Sequence, residues 1–292
     1  MGYLQKSLTK YALSRFTVVR QPRGANTMTL PVNLWLVRHG QSEGNAARRL
    51  SEAGDHTAYS SNFRNRHSGT YRLTNLDREQ AEKTGRWIIA SGVKFHRFYT
   101  SEYVRAKETA GLLGIPGAEW FSDPYLTERD WGDLDICPEN ERNKKFGAEL
   151  KMRAIEPFFW RPPNGESFMM LCQRVDRVLH TLHRECGKMN VIVTCHGETM
   201  RAFQLRIERL TQARFHDIVL NNRPEERIHN CEVIHYTRTN QNGTESNHMT
   251  RVRKIRPTDN PVWDSGWKEI VRPRYSNKEL LKEVSRFPSF MK

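Results

Sequence analysis

Two apolar runs in this 292-residue chain stop in the same way. LWLVRHG ends on Arg38, His39 and Gly40, and NVIVTCHG ends on His196 and Gly197. In open α/β sheets ligands bind beyond the carboxyl ends of strands, so two histidines delivered there by two strands converge on one pocket. Two more segments fit the same rim. SEYVRAKETA (Ser101–Ala110) sets Arg105 about one turn into a helix that starts where a strand ends, and LTERDWG (Leu126–Gly132) offers the loop carboxylate Glu128. Taken singly, each has an ordinary explanation. A strand-end histidine can be structural, Arg105 a surface helix residue and Glu128 a solvated loop acid. Together, imidazoles, guanidiniums and a carboxylate at one rim are equipment for nucleophilic and proton-transfer chemistry on an anion.

The elements that must position these residues are legible in outline. Val32–Val37, Phe95–Ser101 and Asn190–Cys195 predict strands, the first and last buried on both faces. Helices are predicted from a Thr74 cap to about Ala90, over Tyr103–Leu113 capped by Ser101, and over Glu139–Ile155. After the PPNG stop at Pro162–Gly165, apolar residues from Phe168 to Leu182 repeat at helical spacing to about Glu185, and a last helix spans Glu198–Leu210. Cys231–Thr237 and Met249–Ile255 predict late strands, a hairpin across Asn242-Gly243. Residues 119–138 read as loop, and the polar stretch Asn45–Tyr71 is long enough to be a functional loop. Strands alternating with helices predict a three-layer α/β/α sandwich around a mostly parallel sheet.

The ordered motifs RHGQSEGN, LT-x-x-x-x-E-Q-A (Leu73–Ala81), S-x-x-x-R-A-x-x-T-A, E-R-x-W-G, N-G-E-S and CHGETMRA resemble the phosphoglycerate mutase-like branch of the histidine phosphatase superfamily. The resemblance covers about residues 32–240. RHG alone is a weak signal; the ordered set is specific. It implies the phosphoglycerate mutase-like fold and a phosphoryl-transfer site in which His39 is the nucleophile. Glu128 is then the proton donor, and Arg38, Arg105 and His196 form the phosphate pocket. Asn45 matches an asparagine of the nucleophile motif and is expected to bind phosphate, with Gly40 and Gly197 allowing close backbone approach. The family pattern also places the Ala46–Tyr71 loop over the pocket, where Arg48, Arg64 and Arg66 are candidates for a second anionic group. Two positions depart from it. Asp77 stands where many members have glycine, and Gly44 stands where mutases commonly carry a bulkier residue, often tryptophan.

The physical chemistry agrees with that expectation. A phosphomonoester carries about two negative charges, and its transferring phosphoryl group spreads charge over three equatorial oxygens. Arg38 and Arg105 are two forks suited to those oxygens, and a protonated His196 would add a third cation. Neutral His39 can attack phosphorus in line and become a phosphohistidine. Glu128, its pKa raised by partial desolvation, can protonate the leaving oxygen and later activate water. No metal or other cofactor is expected, because cationic side chains do the neutralising and no spaced Asp/Glu cluster stands out. The expected activity is a phosphomonoester phosphatase on a small phosphorylated metabolite. Phosphoglycerate mutase-type transfer is the alternative. A phospho-ligand binding module without turnover is disfavoured by the intact constellation.

Composition bounds the rest. Hydrophobic residues make up 37 % of the chain, which reads as a soluble globular protein, and no apolar run approaches the ~18 residues of a membrane span. The net charge of +14 sits mostly at the ends. Residues 1–30 carry five Lys/Arg and no acid, residues 250–292 eleven against five, and the stretch between 31 against 28. A nucleic-acid-binding face within the fold is therefore not expected. Residues 1–30 read as a basic leader, or as sequence upstream of a start at Met28; 31–256 as the catalytic domain; and 257–292 as a basic extension draped over it. Five scattered cysteines without a C-x-x-C pair point to a reducing compartment, the cytoplasm, with organellar targeting as the alternative. A homodimer is compatible with all of this.

Overall fold

In the computed structural model, which describes residues 28–291, the Leu34–Val37 run forms the heart of strand β1 (Asn33–Arg38), each of its four side chains 0 % exposed. Of the leader expected over residues 1–30, residues 1–27 lie outside the described residues. After β1 come α1 (Glu43–Glu52), α2 (Ser61–Arg64), α3 (Asn75–Ala90), β2 (Arg97–Ser101), α4 (Val104–Leu112) and β3 (Trp120–Asp123). Then follow α5 (Glu139–Ile155), α6 (Phe168–Glu185), β4 (Asn190–Cys195), α7 (Gly197–Glu208) and α8 (Gln212–Asn221). The chain continues with β5 (Val233–Thr237), β6 (Arg251–Arg256), β7 (Trp263–Asp264), β8 (Lys268–Glu269) and α9 (Asn277–Val284).

The strands form one sheet in the order β3-β2-β4-β1-β5-β6-β7, with β8 also on β6. The four strands β3, β2, β4 and β1 run parallel, as a chain alternating strand and helix dictates. β5 turns antiparallel against β1 and begins an antiparallel margin. The β1–β4 register sets Arg38 beside Cys195, so His39 and His196 leave the sheet side by side.

Alternation along β1 builds the layers. Leu34 and Leu36 face a core with Phe168, Leu171 and Val175 of α6, Phe203 of α7 and Phe215 of α8. Trp35 and Val37 face the other side, with Ile88 of α3 and Leu113 after α4. At about 25 cal/mol per Å² of apolar surface, burial of each large side chain here contributes roughly 1.5–3 kcal/mol, which is what holds the strand ends in place. Among the described residues no helix is long and apolar enough to cross a membrane.

Several local expectations change. The expected loops contain α1, α2 and β3, and α8 follows α7, because short polar elements carry too little periodicity to be read. Thr74 occupies the N-cap of α3, but its hydroxyl donates to Asp77 Oδ2 (2.6 Å) and makes no cap to the backbone. Ser101 is not the cap of α4, whose N-cap position is Tyr103; its hydroxyl accepts from Tyr103 N–H and binds a histidine instead. The Asn242-Gly243 turn does join β5 to β6, with Gly243 at φ +83°. Beyond Arg256, β7 and β8 extend the same sheet, and Arg272 donates to the Ile207 and Met249 carbonyls.

Candidate functional site

The parallel strands end at one cavity of about 560 Å³ whose lining includes Arg38, His39, Asn45, Arg105, Glu128 and Gly197. His39 follows β1 and is 1 % exposed. Its Nδ1 lies 2.5 Å from the Gly40 carbonyl, an acceptor only, so Nδ1 carries the ring hydrogen. Nε2 therefore presents its lone pair, and it accepts from Arg105 Nε–H at 3.2 Å. Burial first, then the charges of Arg105 and Arg38, push His39 well below the usual histidine range. It is a neutral imidazole at pH 7, with its tautomer set by the backbone.

Arg105 is aimed by α4 and by a second hydrogen bond, from Nη1 to the Ser68 carbonyl (2.7 Å), while its guanidinium lies 4.8 Å from the Tyr103 ring. Arg38 donates from Nη1 to the Ile228 carbonyl at 2.5 Å, and its buried Nε has no partner among the described residues. Gly197 makes room for it, since a Cβ there would sit 3.3 Å from Arg38 Nε.

His196, 0 % exposed, stands with its ring 4.9 Å from that of His39. Its Nε2 is 2.8 Å from Ser101 Oγ, which also accepts from Tyr103 N–H. Its Nδ1 is buried and has no partner among the described residues. Burial, followed by Arg105 and His39, pushes His196 well below the usual range. The ring is neutral, so the condition on which His196 would add a third cation is not met. An arriving anion would favour its protonation.

Glu128 meets the N-terminus of α7. Its Oε1 accepts from the backbone N–H groups of Arg129 (3.0 Å) and Thr199 (3.2 Å), and its Oε2 from that of Glu198 (3.4 Å). These donors favour the carboxylate, yet burial and the neighbouring Glu198 charge outweigh them and raise its pKa. It is a carboxyl poised to exchange a proton.

The remaining expected residues fall out variously. Asn45 lines the cavity, but its Oδ1 accepts from Ser42 N–H (3.2 Å) in the capping box of α1, so its amide hydrogens are what it can offer a ligand. Gly40 approaches the Asp77 backbone of α3, not the cavity. Arg48 lines the outer wall, paired to Glu52 at 2.9 Å. Arg64 is in a two-pronged pair with Glu141, and Arg66 pairs with Glu43 at 3.0 Å; neither is among the cavity's lining residues. Gly44 abuts Tyr71, whose ring occupies the place a larger side chain would take.

Sequence reasoning missed Asp135, Arg142 and Arg153 on the walls and Ser101 behind His196. Ser101 opens a quoted motif, so a spare hydroxyl at a strand end was a usable signal. The arginines of α5 belong to no motif.

The comparisons with known proteins agree on one family. The family described as histidine phosphatase superfamily (branch 1) matches residues 34–244. The chain is 33 % identical over 190 residues to a 2,3-bisphosphoglycerate-dependent phosphoglycerate mutase of Brucella melitensis, covering 61 % of this chain and 82 % of that one. In fold it is similar to the α-ribazole phosphatase of Shigella flexneri (TM-score 0.55, 20 % identity, 74 % of this chain and 95 % of that). It is also similar to a mycobacterial glucosyl-3-phosphoglycerate phosphatase (TM-score 0.53, 20 % identity, 70 % and 89 %). With the motifs in order, the two strand-end histidines side by side and the match spanning most of the chain, this protein belongs to the histidine phosphatase superfamily.

Proposed function

We propose that the protein is a phosphomonoester phosphatase working through a phosphohistidine on His39. The observation that carries the reading is the fixed tautomer: Nδ1–H is held by the Gly40 carbonyl, which leaves Nε2 unprotonated at the cavity wall, accepting from Arg105 Nε–H. Nε2 attacks phosphorus, the phosphorus–oxygen bond to the leaving group breaks, and Glu128 gives its proton to the departing oxygen. In this reading Arg38, Arg105 and His196 stabilise the oxygens on which charge builds. Water then attacks the phosphohistidine, Glu128 takes the water's proton, and phosphate leaves with neutral His39 restored.

A mutase uses the same first half-reaction and returns the phosphoryl group to an isomeric acceptor. The identity to a bacterial mutase favours that reading. Gly44, with Tyr71 filling the adjacent space, favours the phosphatase.

The test is acid-labile labelling after brief incubation with a panel of phosphate esters, with phosphate release measured alongside. His39→Ala is expected to lose the label and at least about 10³-fold in turnover, the scale seen when a nucleophile is removed. Full activity in that variant overturns the mechanism. Interconversion of 2- and 3-phosphoglycerate faster than phosphate release, in enzyme primed with 2,3-bisphosphoglycerate, replaces the phosphatase with the mutase.

A further inference from the structure

The cavity is much larger than one phosphate requires, and its volume of about 560 Å³ is that of a site for a whole metabolite. Its described walls carry eight arginines against four carboxylates, an excess of four positive charges with both histidines neutral. One phosphomonoester neutralises about two of them.

Most of the extra guanidiniums have partners. Arg48 pairs with Glu52. Arg129 donates to the Glu166 and Trp160 carbonyls and lies 3.8 Å from Glu198. Arg201 binds Gln204 and the Glu226 carbonyl, and Arg227 binds Asn222. The two arginines from α5 differ. Arg153 makes no hydrogen bond or ion pair with any described residue and is held by the Trp131 face, 4.9 Å away, with Trp160 at 5.9 Å. Arg142 reaches Glu139 at 3.5 Å through Nη1, while its buried Nε has no partner among the described residues. An indole face orders a guanidinium without taking any of its N–H donors, so Arg153 is prepared for a ligand at little entropic cost. Burial lowers its pKa, Glu198 opposes this, and Arg129, Arg48 and Arg142 add repulsion that an anion would relieve.

The cluster and the reacting end line the same cavity. Glu198 gives its backbone N–H to Glu128, and its carboxylate lies 3.8 Å from Arg129.

Resting on the phosphatase reading, we infer that Arg153 and Arg142, flanked by Arg48, take a second phosphate of the same substrate, which is therefore a bisphosphorylated small molecule. Net positive charge remains on the walls after one phosphate binds, and phosphate is the anion best matched to more than one guanidinium fork.

The test compares kcat/KM for pairs sharing a skeleton: glucose 1,6-bisphosphate and glucose 1-phosphate, adenosine 3′,5′-bisphosphate and adenosine 5′-phosphate, 2,3-bisphosphoglycerate and 3-phosphoglycerate. The best pair is expected to favour the bisphosphate about 100-fold, the scale of one lost charge-assisted phosphate contact set. Arg153→Gln should reduce that ratio at least about tenfold, mainly through KM, and Arg142→Gln should do so independently if the first variant folds poorly. Ratios near one across the panel, or a ratio that survives both substitutions, overturn the inference. Calorimetric binding of the same pairs to the His39→Ala protein separates it from the phosphatase reading. If no ester is hydrolysed by the unmodified chain, the phosphatase reading falls. Tighter bisphosphate binding, about tenfold or more, would still uphold the second site, and equal affinity would remove it.

Discussion

Replacing Glu128 by glutamine isolates one proton. The Oε1 atom accepts from Arg129 N–H and Thr199 N–H (3.0 and 3.2 Å), and a glutamine carbonyl can accept both. Only the Glu198 N–H contact to Oε2, a long one at 3.4 Å, would be lost, so the structural cost is about 0.5–1.5 kcal/mol. The chemical loss is larger. A general acid contributes roughly 10²–10⁴-fold, or about 2.7–5.5 kcal/mol of barrier. That full loss is expected only for alkyl phosphates, whose alkoxide cannot leave unprotonated. With an aryl phosphate such as 4-nitrophenyl phosphate, whose phenolate leaves readily, the phosphorylation step should lose less than about tenfold.

The pH profile carries the same signature. Burial and Glu198 raise the pKa of Glu128, so its acid form persists above the ordinary glutamate range, and kcat/KM for alkyl esters falls as pH rises through that raised value. His39 is pushed well below its ordinary range, so the nucleophile stays neutral throughout and its own limb lies at lower pH. The variant should lose the upper limb. The parent's stability falls in the same direction. A carboxyl with a raised folded-state pKa contributes fully below its unfolded pKa and loses that contribution as pH rises through the folded value. Glutamine has no such loss, so the variant's Tm relative to the parent should increase with pH over that window. Equal rate losses on alkyl and aryl esters would show that Glu128 positions substrate and does not donate a proton.

Two further perturbations probe parts that support the site. Ser101→Ala removes the hydrogen-bond partner of His196 Nε2, and kcat/KM should fall about tenfold, the scale of one hydrogen bond, with threonine restoring most of it; an unchanged rate would mean the ring needs no orientation. Gly44→Trp sets a Cβ 2.7 Å from Tyr71 Cδ2, and urea denaturation should show a loss of about 1–3 kcal/mol, relieved by adding Tyr71→Ala; strictly additive losses would show that the two positions do not compete for space.

What could be read from residues alone was whatever is local in the chain. The four-residue apolar core of β1, the alternation of strands and helices, and the strand-end His39 and His196 follow from short-range rules, because burial on both faces demands a continuous apolar run and a turn out of the sheet demands its end. Arg105 and Glu128 were legible for the same reason, each set at a predicted boundary and carried by an ordered motif.

Tertiary structure decided which charges meet. Arg64 and Arg66, placed by sequence over the pocket, are drawn into pairs with Glu141 and Glu43, acids distant in the chain. Arg142 and Arg153, indistinguishable in the sequence from solvated helix residues, come to the cavity wall because α5 packs beside α1. The ionisation of His196 was decided in the same way. The sequence left its protonation open, and complete burial, with Arg105, His39, Arg174 and Arg38 nearby, keeps the ring neutral. Chain-local patterning sets where a side chain leaves its element, whereas its charge and partners depend on dielectric and distance, which exist only once the layers have packed.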